Sequence, residues 1–249
     1  MLALALFGFV NNRRKSALCQ SVNVEFTGNA ELQFVGKEEI LDLLFSKGFR
    51  IEQVPVGSIN LMEIEKELGR HPAIKSAETF FSSGNTLNII ISKREPVLRV
   101  IDAYGESYYL DQDGNYMPLM ETYTARVPVA SGNILEKMPG HDVKNILLSD
   151  SLAKSCILDD LYMIATAAKR DTFIWAQLEQ LNVLPDNEIE LIPAIGPGIV
   201  LLGDASGISD KFKRLTLFYE EGLPKAGWSK YSSVNLKFNN QIICTQNTY

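Results

Sequence analysis

The sequence is poor in histidine and cysteine, two residue types that commonly bind transition metals. Its 249 residues include two histidines, His71 and His141, and three cysteines, Cys19, Cys156 and Cys244. No two cysteines are close enough in sequence to form a zinc-binding pair, and an odd number of cysteines does not fit a disulfide framework. We therefore expect no metal site, and pairing of Cys156 with Cys244 stays open.

An excess of basic residues is also absent. Lysine and arginine total 24 against 30 aspartates and glutamates, which gives a net charge of −6. Proteins that bind nucleic acid neutralise phosphates with lysine and arginine, so we expect no nucleic-acid partner. Hydrophobic residues make up 46% and charged residues 22%, as is typical of globular proteins, and the length allows one large domain or two small ones.

The N-terminus carries an apolar run that is too short to cross a membrane. Residues 1–10 are apolar apart from Gly8, whereas a membrane-spanning helix needs about 20 apolar residues. The run is either the last half of a membrane helix or an ordinary apolar terminus, and we favour the membrane helix because leucine, alanine and phenylalanine form an almost unbroken block. Counted alone, the basic residues at 13–15 would lie on the cytoplasmic face of the membrane.

Hydrophobic periodicity predicts a β-α-α-β-β unit in the first part of the chain. Leu61, Ile64 and Leu68 have the spacing of one helical face, and alternating apolar residues mark the strands. The turn at residues 82–85 has the composition of a hairpin. The predicted elements are a strand at 22–26, helices at 36–46 and 58–70, and strands at 74–81 and 86–92.

Short apolar runs dominate after residues 93–96. Their length and close spacing predict strands of a mostly antiparallel sheet, and two longer periodic segments predict helices. The fold class is therefore α+β. The predicted strands are 97–101, 107–111, 116–119, 127–130, 173–181, 188–193, 198–202, 234–238 and 242–244, and the predicted helices are 151–170 and 208–221.

No motif in the sequence supplies a reaction. Ser206 lies in a glycine-bounded loop, but a serine nucleophile needs a base within hydrogen-bond reach, and neither histidine has a suitable sequence context. Residues 111–115 resemble the start of a calcium loop, yet Thr122 stands where such a loop needs glutamate, so a hairpin turn is the simpler interpretation. We predict a binding protein with no cofactor, with an extracytoplasmic enzyme as the alternative.

The order and spacing of several motifs resemble a known family. The β-α-α-β-β unit resembles a POTRA domain through residues 37–40 and 68–77, and residues 87–97, with their Arg94-Glu95-Pro96 step, resemble the bacterial division family FtsQ/DivIB. Similar landmarks follow at 109–114, 127–132, 198–203 and 234–238, so the resemblance covers about residues 22–245. The closing strand departs from the family pattern with Asn235, Lys237 and Phe238.

This resemblance implies a single-pass protein of the bacterial inner membrane at the division septum. Residues 1–21 would be the end of a membrane helix and a juxtamembrane segment, 22–95 a POTRA domain and 96–249 a β domain, both on the periplasmic side. That places residues 13–15 outside the cytoplasm, contrary to the charge count above. The protein would be a scaffold that binds FtsB and FtsL and helps to recruit septal peptidoglycan synthesis. Another POTRA-bearing binding protein of the cell envelope is the alternative.

We expect the partner to bind by strand addition at the end of the chain. A terminal edge strand offers unpaired N–H and C=O groups. Phe238 and Ile242 would be apolar anchors, Lys237 would meet an acidic partner, and proline at Phe238 or Asn239 would abolish capture. A second docking surface is expected near Glu63 and Lys66 of the POTRA domain. The complete set predicted for the edge is Tyr231, Val234, Leu236, Lys237, Phe238, Asn239 and Ile242.

Overall fold

The computed structural model describes residues 16–120, 123–138, 145–148 and 156–247. They fall into two compact units, of which the first runs to Glu95 and the second begins at Pro96, while Met120, Tyr123 and Thr124 group with the first. The N-terminal apolar run, His141 and the first residues of the helix predicted from 151 lie outside the described residues. Among the helices that are described, none is long and apolar enough to cross a membrane.

The first unit has the predicted β-α-α-β-β order. The elements are β1 (Ser21–Thr27), α1 (Lys37–Ser46), α2 (Leu61–Leu68), β2 (Ile74–Phe81) and β3 (Thr86–Lys93), with a 3-10 turn at Val56–Ser58. Strand β3 lies at the centre of the sheet, parallel to β1 and antiparallel to β2. Ile40 and Leu44 on α1 and Ile64 and Leu68 on α2 are buried.

Local hydrogen bonds define both ends of helix α2. The Asn60 side chain accepts a hydrogen bond from the Glu63 N–H at 3.3 Å, which satisfies one of the free donors of the first turn. After the helix, His71 Nδ1 accepts a hydrogen bond from the Ala73 N–H at 3.2 Å. Burial lowers the pKa of His71, and the neutral ring keeps Nδ1 available as an acceptor.

The described part of the second unit forms one sheet of nine strands, which we call the large sheet. The strands are β4 (Pro96–Ile101), β5 (Ser107–Asp111), β6 (Tyr116–Pro118), β7 (Val129–Gly132), β8 (Leu178–Val183), β9 (Ile189–Pro193), β10 (Ile199–Gly203), β11 (Tyr231–Asn235) and β12 (Ile243–Gln246). Their order in the sheet is β12-β11-β10-β9-β8-β7-β4-β5-β6. Most neighbouring strands are antiparallel, and the pairs β4–β7, β7–β8 and β10–β11 are parallel.

Helices cover the large sheet and complete its core. Leu161 and Ile164 on one helix and Phe212 and Leu215 on another are buried in the same cluster as the inward residues of the strands. The helices are α3 (Ile157–Lys169), α4 (Thr172–Gln177), α5 (Ile208–Leu217) and α6 (Leu223–Ala226), with a 3-10 turn at Ile146–Leu148 and a π-turn at Phe218–Gly222. The resulting α+β architecture confirms the predicted fold class.

The prediction of a strand over residues 173–181 is wrong in its first part. Residues Thr172–Gln177 form helix α4, and strand β8 begins at Leu178. Asp171 causes this difference because its side chain accepts hydrogen bonds from the N–H groups of Phe173 and Ile174, at 2.9 and 3.1 Å. An aspartate in this position is a strong helix-starting signal.

The segment that resembled a calcium loop is a turn between β5 and β6. Asp111 Oδ1 accepts hydrogen bonds from the N–H groups of Asp113 and Asn115, at 2.9 and 2.8 Å. Gly114 has a φ of 79°, which favours glycine, and its N–H donates to the Asp111 carbonyl at 3.1 Å. The aspartate therefore stabilises a hairpin, as the simpler interpretation predicted.

Candidate partner-binding site

Strand β12 forms one edge of the large sheet. It pairs antiparallel with β11, and no other described strand lies along its opposite side. The Asn247 N–H donates to the Lys230 carbonyl at 3.0 Å, so residue 247 faces β11. Because N–H and C=O groups alternate between the two sides of an extended strand, Cys244 and Gln246 direct theirs away from the sheet.

Among the described residues, the outer side of β12 lacks the features that usually protect an edge strand. Natural edges are blocked by proline, by charged side chains or by a covering segment. Strand β12 consists of Ile243, Cys244, Thr245 and Gln246, none of which is charged or proline. Ile243 is 46% exposed and Thr245 and Gln246 are also exposed, so an extended segment has access to both backbone and side chains.

Arg214 on α5 holds the loop that joins β11 to β12. Its guanidinium donates to the carbonyls of Leu236, Phe238 and Gln241, at 2.9, 2.8 and 2.6 Å. The same side chain pairs with Asp210 one turn earlier on the helix at 3.1 Å. One planar cation therefore satisfies three backbone acceptors and holds the loop that leads into the edge strand.

The predicted closing strand is too long. Strand β11 ends at Asn235, although the prediction extended it to Phe238. After Asn235 the Leu236 N–H still donates to the Leu201 carbonyl at 2.9 Å, but the carbonyls that follow bond to Arg214 instead of a neighbouring strand. Phe238 and Asn239 consequently lie in the loop, as does Ile242, which precedes β12.

The seven residues predicted for the edge separate into three groups. Val234 and Leu236 are completely buried in the core, so their side chains are not on the surface. Tyr231 is partly buried on β11 beside the ring of Phe218, at 5.9 Å between ring centres. The exposed or half-exposed residues are Lys237, Phe238, Asn239 and Ile242, all in the loop.

Lys237 is paired within the chain. Its ammonium group bonds to the carboxylate of Glu188, next to strand β9. Both side chains are about one-third exposed, at 34% and 35%, so the pair contributes little to stability. The predicted contact of Lys237 with an acidic partner remains a prediction, and it would require exchange of this intramolecular pair.

A polar cleft of about 340 Å³ lies beside the loop. On its wall, the buried Lys211 donates to the carbonyl and the carboxylate of Asp204, at 2.9 and 3.1 Å. Hydrogen bonds from Ser206 and then from Lys211 lower the pKa of Asp204 to about 2. The hydroxyl of Ser206, considered above as a nucleophile, is thus a donor to a carboxylate.

Three residues near the edge were not predicted as site residues from the sequence. Arg214 holds the loop, Ile243 exposes an aliphatic side chain on β12, and Trp228 is 47% exposed in the turn before β11. The Trp228 ring contacts Tyr219 edge-on, with 6.0 Å between centres. The sequence signal for Arg214 is its spacing of four from Asp210, which identifies a helical ion pair but no long-range role.

The remaining candidate residues lie elsewhere. Glu63 and Lys66 are exposed on helix α2 of the first unit.

Cys156 and Cys244 are free thiols, and the Cys156 Sγ donates to Glu136 at 3.1 Å. Burial raises the pKa of Cys156 to about 12, so it is a poor nucleophile.

Comparisons with known proteins agree with the resemblance seen in the sequence. The family model "FtsQ/DivIB, C-terminal related" matches residues 95–245, and a model for a "POTRA-like domain" matches residues 17–92. Among curated proteins, "Cell division protein FtsQ" of Salinibacter ruber is 27% identical over 189 residues, which cover 73% of this chain and 68% of that protein. The proteins of the same name from Geotalea daltonii and Rhodothermus marinus are 26% and 24% identical, over 86% and 75% of this chain and 72% and 65% of theirs.

Proposed function

Because this chain belongs to the FtsQ/DivIB family, we propose that it is a division scaffold whose edge strand β12 captures an extended segment of a partner protein. Its relatives are named as cell-division proteins, and the family assignment supports the same role here. The activity is binding, and the partners are proteins of the FtsB and FtsL type that the family resemblance implies. Through them the scaffold would help to recruit septal peptidoglycan synthesis.

The open side of β12 is the observation that carries this proposal. An added strand would gain backbone hydrogen bonds from Cys244 and Gln246, and the exposed Ile243 would contact an apolar residue of the partner. The loop held by Arg214 presents Phe238, which is 46% exposed, close to the start of the same strand. Backbone pairing would supply affinity, and these two apolar side chains would supply selectivity.

A proline substitution tests capture by β12 directly. Gln246→Pro removes an N–H that points away from the sheet, so the pairing of β12 with β11 is kept. We expect the full chain carrying Gln246→Pro to bind the periplasmic parts of FtsB and FtsL at least tenfold more weakly than the unchanged chain. The matched control Gln246→Thr loses the same side chain but keeps the N–H, and should bind normally. Equal affinity of the proline variant in a titration would refute strand addition at β12.

The same family assignment supports a periplasmic position for both units. In this proposal residues 1–21 anchor the chain in the inner membrane, residues 22–95 form the POTRA domain and residues 96–249 form the β domain. A reporter enzyme that is active only outside the cytoplasm, fused to the C-terminus, should be active in dividing cells. An inactive fusion that is nevertheless produced would contradict this topology.

The first unit is proposed to bind further division proteins. Glu63 and Lys66 are solvent-exposed on α2, so exchanging their charges should leave the fold intact. We expect Glu63→Lys with Lys66→Glu to reduce recruitment of other septal proteins in cells while capture at β12 is unchanged. Normal recruitment would exclude this face of the helix.

A further inference from the structure

Strand β1 forms an open edge in the other unit. It pairs with β3 over seven consecutive residues without a register shift, and no described strand lies along its opposite side. Its sequence contains neither proline nor lysine, and Glu25 is its single charged residue. By length, regularity and composition, β1 is therefore poorly protected against addition of another strand.

The hydrogen bonds of β3 identify which groups of β1 face outward. The Ser82 N–H donates to the Thr86 carbonyl at 3.0 Å, so Thr86 faces β2 and, by alternation along the strand, Leu87 faces β1. Val22 is opposite Leu87 in the parallel register, so Leu87 bonds to the residues on either side of Val22. Val22, Val24 and Phe26 therefore direct their N–H and C=O groups to the outer side, where backbone pairing among the described residues stops after Cys19.

An apolar cleft of about 400 Å³ lies beside this edge, between β1 and the end of helix α1. Val22 lines it from the strand, and Leu41, Phe45 and Phe49 line it from the helix and the segment that follows. Phe45 is 67% exposed. Since neighbouring strands lie about 4.8 Å apart, a residue placed next to Val22 on an added strand would project into this cleft.

The rim of the cleft carries unpaired negative charge. Asp42 and Glu52 line it, and neither carboxylate has a hydrogen bond or an ion pair within the part of the chain that the structure describes. Among the described residues that line the cleft, Arg50 is the single cation, and it lies over the Phe45 ring at 5.7 Å from its centre. A ligand with a positive charge next to its apolar group therefore matches this surface.

We propose that the β1 edge is a second strand-addition site, which binds an extended protein segment with a bulky apolar residue and a lysine or arginine two positions from it. The apolar side chain occupies the cleft beside Val22. The basic side chain lies on the same face of the added strand, because residues two apart share a face, and it meets Asp42 and Glu52. This site lies in a different unit from β12 and does not depend on the function proposed above.

Selection from a random peptide library tests this proposal and identifies the preferred sequence directly. The full chain is used to enrich twelve-residue peptides, and each enriched peptide is then titrated against variants. We expect enrichment of an apolar residue followed or preceded at the second position by lysine or arginine. Binding of these peptides should fall at least tenfold in Val22→Pro, which removes an outward N–H, and at least threefold when Asp42→Asn and Glu52→Gln are combined.

Matched controls distinguish the loss of strand addition from the loss of a side chain or of the fold. Val22→Thr has nearly the same shape as valine and keeps the outward N–H, so it should bind the peptides normally, as should Gln246→Pro at the other site. Thermal unfolding verifies that each variant is folded. The proposal is overturned if no such motif is enriched, if Val22→Pro binds as well as Val22→Thr, or if sedimentation shows a dimer of the chain that Val22→Pro abolishes.

Discussion

The two edges of the large sheet are closed to different extents. At one edge, β6 is three residues long and ends in Pro118, which has no N–H to offer a partner. Asn145 forms a bridge with Asn115 just before β6, and the Ile146 N–H donates to the Gly114 carbonyl at 2.9 Å. At the opposite edge, β12 has no proline, and among the described residues nothing pairs with its outer side.

This difference supports the proposal that β12 is the strand at which the second unit binds another chain. Proline and a paired segment are common means by which proteins prevent association between sheet edges. Their presence at β6 and absence at β12 are expected if β12 is kept available for a partner. The hydrogen bonds from Arg214 order the loop that leads into the open edge. A loop that is already ordered loses less conformational entropy when a partner binds.

The largest expected effect comes from removing the hydrogen bonds between Arg214 and the loop. Arg214→Ala leaves three backbone carbonyls without their donor, and the side chain is only 14% exposed. We expect the free energy of unfolding to fall by about 2–3 kcal/mol and capture of the FtsB-type segment to weaken at least tenfold. Chemical denaturation and a binding titration measure the two effects.

A second ion pair in the same unit provides the control for the Arg214→Ala variant. Lys225 pairs with Glu221 one turn away, and its side chain is 76% exposed. Lys225→Ala should change the free energy of unfolding by less than about 0.5 kcal/mol and leave capture unaltered. If Arg214→Ala behaves like this control, the open edge does not depend on an ordered loop.

Local sequence signals predicted most of the fold but not the organisation of the candidate site. The β-α-α-β-β order and helix α5 follow from periodicity, which depends on near neighbours. The strand limit at Asn235 depends on Arg214, which is 22 residues before Leu236 in the sequence. Such a contact has no local signal, so the predicted strand ran on to Phe238. Helix α4 was missed for a different reason, since the capping residue Asp171 was present but the apolar run after it was given more weight.

A smaller effect is expected from giving β12 the kind of protection that open edges usually have. Ile243→Lys places a charge on an exposed position of the edge strand, and lysine disfavours pairing of strands at an edge. We expect capture of the partner segment to fall about threefold to tenfold, while the free energy of unfolding changes by less than about 0.5 kcal/mol. Ile243→Val keeps the apolar surface and should bind normally. Unchanged capture by the lysine variant would mean that composition does not distinguish the two edges.

The smallest effects should appear as opposite responses to pH at the two ends of the sheet. On β6, burial raises the pKa of Tyr116 to about 12, so the folded state keeps its proton where the unfolded state has lost it. Stability should therefore decline as the pH rises above about 10, and Tyr116→Phe should reduce that decline. After β10, the third strand from the β12 edge, hydrogen bonds from Ser206 and Lys211 lower the pKa of Asp204 to about 2.

Because the pKa of Asp204 is higher in the unfolded state, the unfolded state binds the proton first as the pH falls. The stabilisation that the Asp204 carboxylate provides is therefore complete above about pH 4 and is lost as the pH falls towards 2. The carboxylate is exposed to solvent, so the change should be small. Asp204→Asn should flatten the acid side of the profile and leave the alkaline side unaltered, whereas Tyr116→Phe should do the reverse. Thermal unfolding of both variants between pH 2 and pH 12 tests this, and a variant that changes both sides equally would show that the two ends of the sheet do not respond independently.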